Sequence, residues 1–262
     1  MSVIRRSRVL AQLRAGQVAL SFKLNLSDVR AAEIAAMAGF DTLWLDAEHV
    51  PNDWSAIEAQ IYAAKAYDVD VMVRVARGSY SEYIKPLELD ASGLMVPHVM
   101  NLDDARQVVR MTRFHPIGRR PVDGGNADGG YCQVDFVEYL RMANAERFLC
   151  LQIEDPEALA DAPAIAALDG VDMLFFGPGD FSHGLGAPGQ WDHPALTAAR
   201  KQVAQICRDA GKFAGTVGSP ASVPELVDLG YNFISVGADV VALGNYCRDM
   251  ATTTRQAIAD HK

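Results

Sequence analysis

Cysteine is scarce and unpaired: the 262-residue chain has four, Cys132, Cys150, Cys207 and Cys247, far apart and with no CxxC pair. That argues against a disulfide framework or a zinc knuckle and leaves the reduced thiols of a cytoplasmic protein as the simple reading. Long apolar runs are missing too. None approaches the about 18–20 residues that a spanning helix needs, and the basic start MSVIRRSRVLAQLRAG has neither an apolar signal core nor a cleavage site. Positive charge is in deficit: 24 lysines and arginines stand against 33 acids, a net charge of −9, which argues against a nucleic-acid or anionic-membrane surface. No linker or low-complexity tract divides the chain. What is present is 50% hydrophobic and 22% charged. That is the composition of a folded chain, long enough to bury roughly three quarters of its unfolded surface.

Short apolar runs alternate with helical patterns. QVALSFKL (17–24), DTLWLDAEH (41–49), VDVMVRV (69–75) and SGLMVPHV (92–99) read as four strands. Helices follow them over 27–38, 53–67, 80–89 and 101–112, the last with Asn101 as N-cap. GRRPVDGGNADGGYCQ (118–133) breaks the rhythm as a long glycine-rich loop. A helix over 134–145 leads to FLCLQIE (148–154), VDMLFFGP (171–178), KFAGTVG (212–218) and NFISVGAD (232–239), with helices over 156–168, 193–210, 220–229 and 240–259. Eight strands alternating with helices predict one (β/α)8 TIM-barrel domain over residues 1–262. The near-continuous apolar strands suit a parallel sheet covered on both sides. The alternative, a doubly wound open sheet, usually needs fewer strands.

In a barrel the C-terminal strand ends share one mouth. Those ends carry Lys23 and Asn25, then Asp46, Glu48 and His49, then Arg74, then His98. Gln152, Glu154 and Asp155 follow, then Gly179 and Asp180, Thr216, and finally Gly237 and Asp239. Glu154 and Asp180 close neighbouring strands, about 4.8 Å apart, and can share a hard cation such as Mg2+ or Mn2+. A helix N-cap for Asp180 and a surface ion pair for Glu154 account for the same residues equally well. Asp46 can orient His49 as a general base, or it can bond backbone amides while His49 caps a loop; Glu48 is a third candidate in that turn. Arg74, at the end of an apolar strand, suits a carboxylate or enolate, or an ion pair with Asp46 or Glu48.

The remaining motifs are weaker. GLGAPG (184–189) has GxGxxG spacing, but Pro188 sits inside it and no strand runs directly into it, so it reads as a loop rather than a dinucleotide cradle. Gly177-Pro-Gly179 lets amides approach an anion at a helix start. Gly218-Ser219 and Gly237 lack the dense amide pattern of a phosphate site. His98, His115, His183, His193 and His261 show no ligand spacing and read as loop or surface residues, and Trp44 and Met72 read as packing.

Taken in order, GFDTLWLDAEHVPND (39–53), VRV (73–75), LMVPHVMNLDDAR (94–106), LQIEDPEAL (151–159), GVDMLFFGPGDFS (170–182), DHP (192–194) and GYNFISVGAD (230–239) resemble the HpcH/HpaI aldolase family of class II pyruvate aldolases. The resemblance implies Glu154 and Asp180 as ligands of a divalent cation (Mg2+, Mn2+ or Co2+), His49 as the catalytic base and Asp46 as its partner. It implies Arg74 on the pyruvate carbonyl oxygen, Gln152 near metal and substrate, and backbone amides at Gly179 and Asp180 on the pyruvate carboxylate. The family usually has alanine at position 179. The implied reaction is retro-aldol cleavage of a 4-hydroxy-2-oxoacid to pyruvate and an aldehyde. The implied assembly is a homohexamer, a trimer of dimers, with the C-terminal helix available for contacts. No Schiff base is needed, although Lys23 ends the first strand. Oxaloacetate decarboxylation or carbon–carbon bond-forming synthesis on the same pyruvate site, and a non-catalytic 2-oxoacid-binding barrel, are the alternatives. The 118–131 stretch departs from the family's Gly-x-Arg-Gly pattern; Arg119 and Arg120 there either bind an anion or are solvated loop charge.

Overall fold

A computed structural model describes residues 4–261. Eight strands pair in sequence order, all parallel, and the first closes on the last. They are β1 (Ala19–Leu24), β2 (Thr42–Asp46), β3 (Asp70–Arg74), β4 (Gly93–Val96), β5 (Phe148–Ile153), β6 (Met173–Phe176), β7 (Phe213–Gly218) and β8 (Phe233–Ala238). The helices are α1 (Arg8–Arg14), α2 (Val29–Met37), α3 (Trp54–Lys65), α4 (Tyr80–Glu88), α5 (Leu102–Thr112), α6 (Phe136–Glu146), α7 (Ala162–Ala166), α8 (Pro178–Gly184), α9 (Pro194–Asp209), α10 (Val223–Leu229) and α11 (Asp239–Asp260). The closed barrel is the expected fold, and closure removes the open-sheet alternative. Two helices, α1 and α8, lie outside the expected set. The helix expected over 156–168 divides into a 3-10 turn, Pro156–Ala160, and the short α7, with a proline in the first turn of each.

Strand parity builds both the core and the mouth. Leu43, Leu45, Val71, Val73, Leu149, Leu151 and Ile153 face outward into the cluster shared with the helices. Trp44, Met72, Met95, Phe148, Cys150, Met173, Phe175 and Phe233 fill the barrel, and Val9, Leu10 and Leu13 of α1 pack against them. Trp44 and Met72 thus pack as expected. Side chains two apart share a face, so the step after Trp44, Met72 and Cys150 turns Asp46, Arg74 and Gln152 inward. At the other end of β3, fully buried Asp70 accepts Ser7 Oγ (2.6 Å), the Val9 amide (3.0 Å) and Arg5, tying α1 to the sheet.

The 118–133 stretch leans on the outer helices: Tyr131 Oη meets Tyr62 Oη of α3 at 3.1 Å. Arg120 is neither an anion receptor nor solvated charge. It is buried, 2.7 Å from Asp128, over the Phe114 ring at 4.6 Å, and Tyr139 Oη also donates to Asp128 (2.8 Å). Arg119 is exposed and donates to the Gly118 carbonyl. All four cysteines are free. Among the described residues, no helix is long and apolar enough to cross a membrane.

Candidate active site

Asp46 is the hub of one half of the mouth. The β2–β3 register sets it opposite Arg74. Its Oδ1 accepts Arg74 Nε (3.1 Å) and the amides of Glu48 (3.1 Å) and His49 (3.4 Å). Its Oδ2 accepts Arg74 Nη2 (2.5 Å) and lies 2.8 Å from Lys23 Nζ. Burial alone would raise this carboxyl; the Arg74 bonds and charge, then those of Lys23, overcome it and hold the group far below the usual carboxylate range. With its oxygens taken by these donors, Asp46 reaches His49 only at the backbone amide, and the expected side-chain dyad is not formed. The His49 ring is 60% exposed, with Nε2 3.5 Å from Glu48 Oε2. Glu48 also lies 3.1 Å from Arg74 Nη1 and 3.9 Å from His98 Nε2. Both ion pairs considered for Arg74 are therefore present. Arg74 and Lys23 further share the Trp44 indole, at 5.0 and 5.2 Å from its centroid.

Glu154 organises the other half. It is 2% exposed. Its Oε1 accepts the His98 amide (2.9 Å) and its Oε2 accepts Gln152 Nε2 (2.9 Å). Burial pushes its carboxyl up to about 7; the amide and charge of His98 oppose this, Asp180 adds to it and Arg74 opposes it. A Cβ on Gly177 would come within 2.6 Å of Glu154 Oε2 and 2.7 Å of its Cβ, so glycine lets the β6 end lie against the carboxylate. At Gly179 a Cβ would meet nothing within 4 Å, and an alanine fits. Gly179 and Asp180 lie exposed in the first turn of α8, where amides have no intrahelical acceptor.

Two carboxylates, one of them buried and short of positive charge, fit a hard divalent cation. So does the buried Gln152 Oε1, which has no hydrogen-bond partner. Among the described residues, no cluster of three or more His, Cys, Asp or Glu forms a complete cage. Glu154, Asp180 and Gln152 could hold such an ion only with further oxygens from solvent or substrate.

Three mouth residues carry more than their sequence context suggests. His98 is not a surface histidine: it is partly buried, with Nδ1 2.9 Å from Asp155 Oδ2. Its backbone is left-handed, with φ 49°, and its amide donates to Glu154. Glu48 links Arg74 to both histidines. Lys23, expected at the mouth from its place at the end of β1, meets Asp46 there; it lies two residues beyond Ser21, which is fully buried. Asp239, by contrast, is a staple: it accepts the amides of Asn25 (2.9 Å) and Leu26 (2.8 Å).

The chain is similar to known proteins over nearly its whole length. The HpcH/HpaI aldolase/citrate lyase family matches residues 22–245. A hydroxypyruvate/pyruvate aldolase of Pseudomonas aeruginosa is 35% identical, covering 94% of this chain and 91% of its own. A 4-hydroxy-2-oxo-heptane-1,7-dioate aldolase of Shigella sonnei is 34% identical, covering 92% of each chain. The crystal structure of an HpcH/HpaI aldolase from Desulfitobacterium hafniense DCB-2 superposes with a TM-score of 0.89 at 29% identity, covering 94% of this chain and 96% of that one.

Proposed function

We propose that this chain, which belongs to the HpcH/HpaI aldolase/citrate lyase family and is an aldolase, a carbon–carbon lyase, reversibly cleaves a 4-hydroxy-2-oxoacid to pyruvate and an aldehyde with the help of a divalent cation. One observation carries the reading. Buried Arg74 at the end of β3 and buried Glu154 just past the end of β5 share one mouth, linked through Glu48, 3.1 Å from Arg74, and His98, whose ring lies 3.9 Å from Glu48 and whose amide donates to Glu154. A 2-oxoacid brings to such a mouth a carboxylate and a carbonyl oxygen that becomes an enolate.

Glu154 and Asp180, with Gln152 beside them, would hold the cation, which when bound supplies Lewis-acid charge to the 2-oxo and carboxylate oxygens. Arg74, fixed by Asp46 and Glu48, sets a positive charge at the C2 oxygen, where negative charge grows as the C3–C4 bond breaks. The first-turn amides of Gly179 and Asp180 take the substrate carboxylate. His49, at the rim beside Glu48, accepts the C4 hydroxyl proton. The aldehyde leaves, and the enolate takes a proton at C3 to give pyruvate. Asp46 serves this machinery through Arg74 rather than through the His49 ring.

The test combines pyruvate with a panel of aldehydes and Mg2+, Mn2+ or Co2+, and follows exchange of pyruvate methyl protons with deuterated solvent. Metal-dependent exchange and aldol product are expected, and both should vanish in Glu154→Ala. Full activity in the presence of a chelator would overturn the metal assignment. Oxaloacetate turnover without hydroxy-oxoacid cleavage would move the reaction to the decarboxylase alternative.

The same reading includes a homohexamer in a reducing, cytoplasmic setting. Leu243, Tyr246, Met250 and Ile258 of α11 are each at least half exposed, as are Ile34 and Met37 of α2, more apolar surface than one helix leaves to water without a partner. Light scattering should give six chains, and a monomer would overturn this part.

A further inference from the structure

Lys23 has no task in the reaction above, yet its side chain lies at the floor of the mouth. We propose that Lys23 is a positioning residue for the 2-oxoacid site: by sharing Oδ2 of Asp46 with Arg74, it leaves Arg74 enough net charge to hold the substrate anion. The inference rests on the pyruvate-site reading of the previous section.

The charge count carries it. The Arg74 guanidinium faces two carboxylates at once, Asp46 through Nε and Nη2 and Glu48 at Nη1. Counting the arginine and the two acids alone, histidines aside, one positive charge against two negative ones leaves this row at −1, a poor receptor for an anion. Lys23 Nζ, 2.8 Å from Asp46 Oδ2, brings the cluster to zero. It does so from β1, the far side of Asp46, so Asp46 is shared between two cations rather than drawn wholly onto Arg74. Both cations also lie over the Trp44 ring.

The experiment compares wild type, Lys23→Met and Lys23→Arg in the holoenzyme with Mn2+. Methyl-proton exchange of pyruvate gives KM and kcat, and calorimetry with oxalate gives anion affinity without turnover. Wild-type exchange is the internal check, because its absence condemns the pyruvate-site reading rather than the role of Lys23. Given wild-type exchange, Lys23→Met should raise KM and weaken oxalate about tenfold or more, the weight of one unit charge across a partly screened mouth. Its kcat should fall less than its affinity, and Lys23→Arg should restore most of the loss. Unchanged KM and oxalate affinity in Lys23→Met would overturn the proposal. A loss confined to kcat, or one that arginine does not rescue, would also overturn it. So would a pyruvate adduct on Lys23 trapped by borohydride, which would make the residue a nucleophile.

Discussion

Gly177 and Gly179 stand two residues apart, and the geometry gives them opposite fates on replacement by alanine. A methyl at Gly177 would lie 2.6 Å from Glu154 Oε2 and 2.7 Å from Glu154 Cβ, where carbon contacts need about 3.5 Å. Glu154 must then retreat by about 1 Å, away from the His98 amide and Gln152 Nε2, both now at 2.9 Å. Overpacking costs about 1–3 kcal/mol, and losing a hydrogen bond to a charged group about 1.5–3 kcal/mol. Together these destabilise by about 2.5–6 kcal/mol, which lowers Tm by roughly 5–24 °C in a chain of this size. A carboxylate displaced by about 1 Å should also lose on the order of 100-fold in Mn2+ affinity. A methyl at Gly179 meets nothing within 4 Å and enters the first turn of α8, where alanine is neutral or stabilises by up to about 0.5 kcal/mol. Calorimetric Tm and Mn2+ titration of the two variants decide the matter. Equal Tm and equal Mn2+ affinity would refute both the close approach at Gly177 and the placement of Glu154 at the cation.

Glu154 titrates in the folded protein at about 7, above its ordinary 4.5, so its contribution to metal-free stability is complete below about 4.5 and is lost as pH rises through about 7. A cation must displace that proton, so Mn2+ affinity should climb with pH to about 7 and then level; a flat profile from pH 5 to 8 would remove Glu154 from the ligand set. His49→Ala should lose about 10²–10⁴-fold in aldol turnover while oxalate affinity stays near wild type, and equal losses in both would make His49 a binding residue. Asp70→Ala leaves Ser7, Val9 and Arg5 without their buried acceptor and should cost about 3 kcal/mol in denaturant unfolding; an unchanged midpoint would show that α1 is held by its apolar face alone.

The barrel is legible in the amino-acid sequence because its signal is local. Each strand carries its own parity, and β2, β3 and β5 run apolar on both faces through Leu43–Leu45, Val71–Val73 and Phe148–Leu151 before the last inward position, where Asp46, Arg74 and Gln152 appear. That position is where a packed barrel interior gives way to the mouth, so a polar residue there stands out against the apolar run that precedes it. The same parity fails beyond the strand ends. Asp46 and His49 are three apart, but β2 ends at Asp46 and the turn after it sends the His49 ring to the rim. The 118–133 loop hides its role for a related reason: Arg120 is neutralised by Asp128 and roofed by Phe114, contacts that loop composition does not encode.

What linear spacing could not supply was the competition for Asp46. Its near neighbour in sequence, His49, lost to Arg74, 28 residues on, which the β2–β3 register sets directly opposite, and to Lys23, 23 residues back, which stands opposite Trp44 and reaches Asp46 with its long side chain. A guanidinium offering two parallel donors, together with a lysine, prevails over an imidazole for one buried carboxylate. The half-mouth that results is an alternating row, Lys23, Asp46, Arg74, Glu48, in which each acid touches a cation and each cation an acid. Such a row is rigid and close to neutral, so a small change of charge at either end alters what the centre can hold. The Glu154 half is built the other way, a buried acid with too little positive charge around it. The asymmetry between a half whose charges are balanced and an acid left in want of a cation gives the mouth its polarity, and a 2-oxoacid, anionic but able to chelate, fits that polarity from both sides.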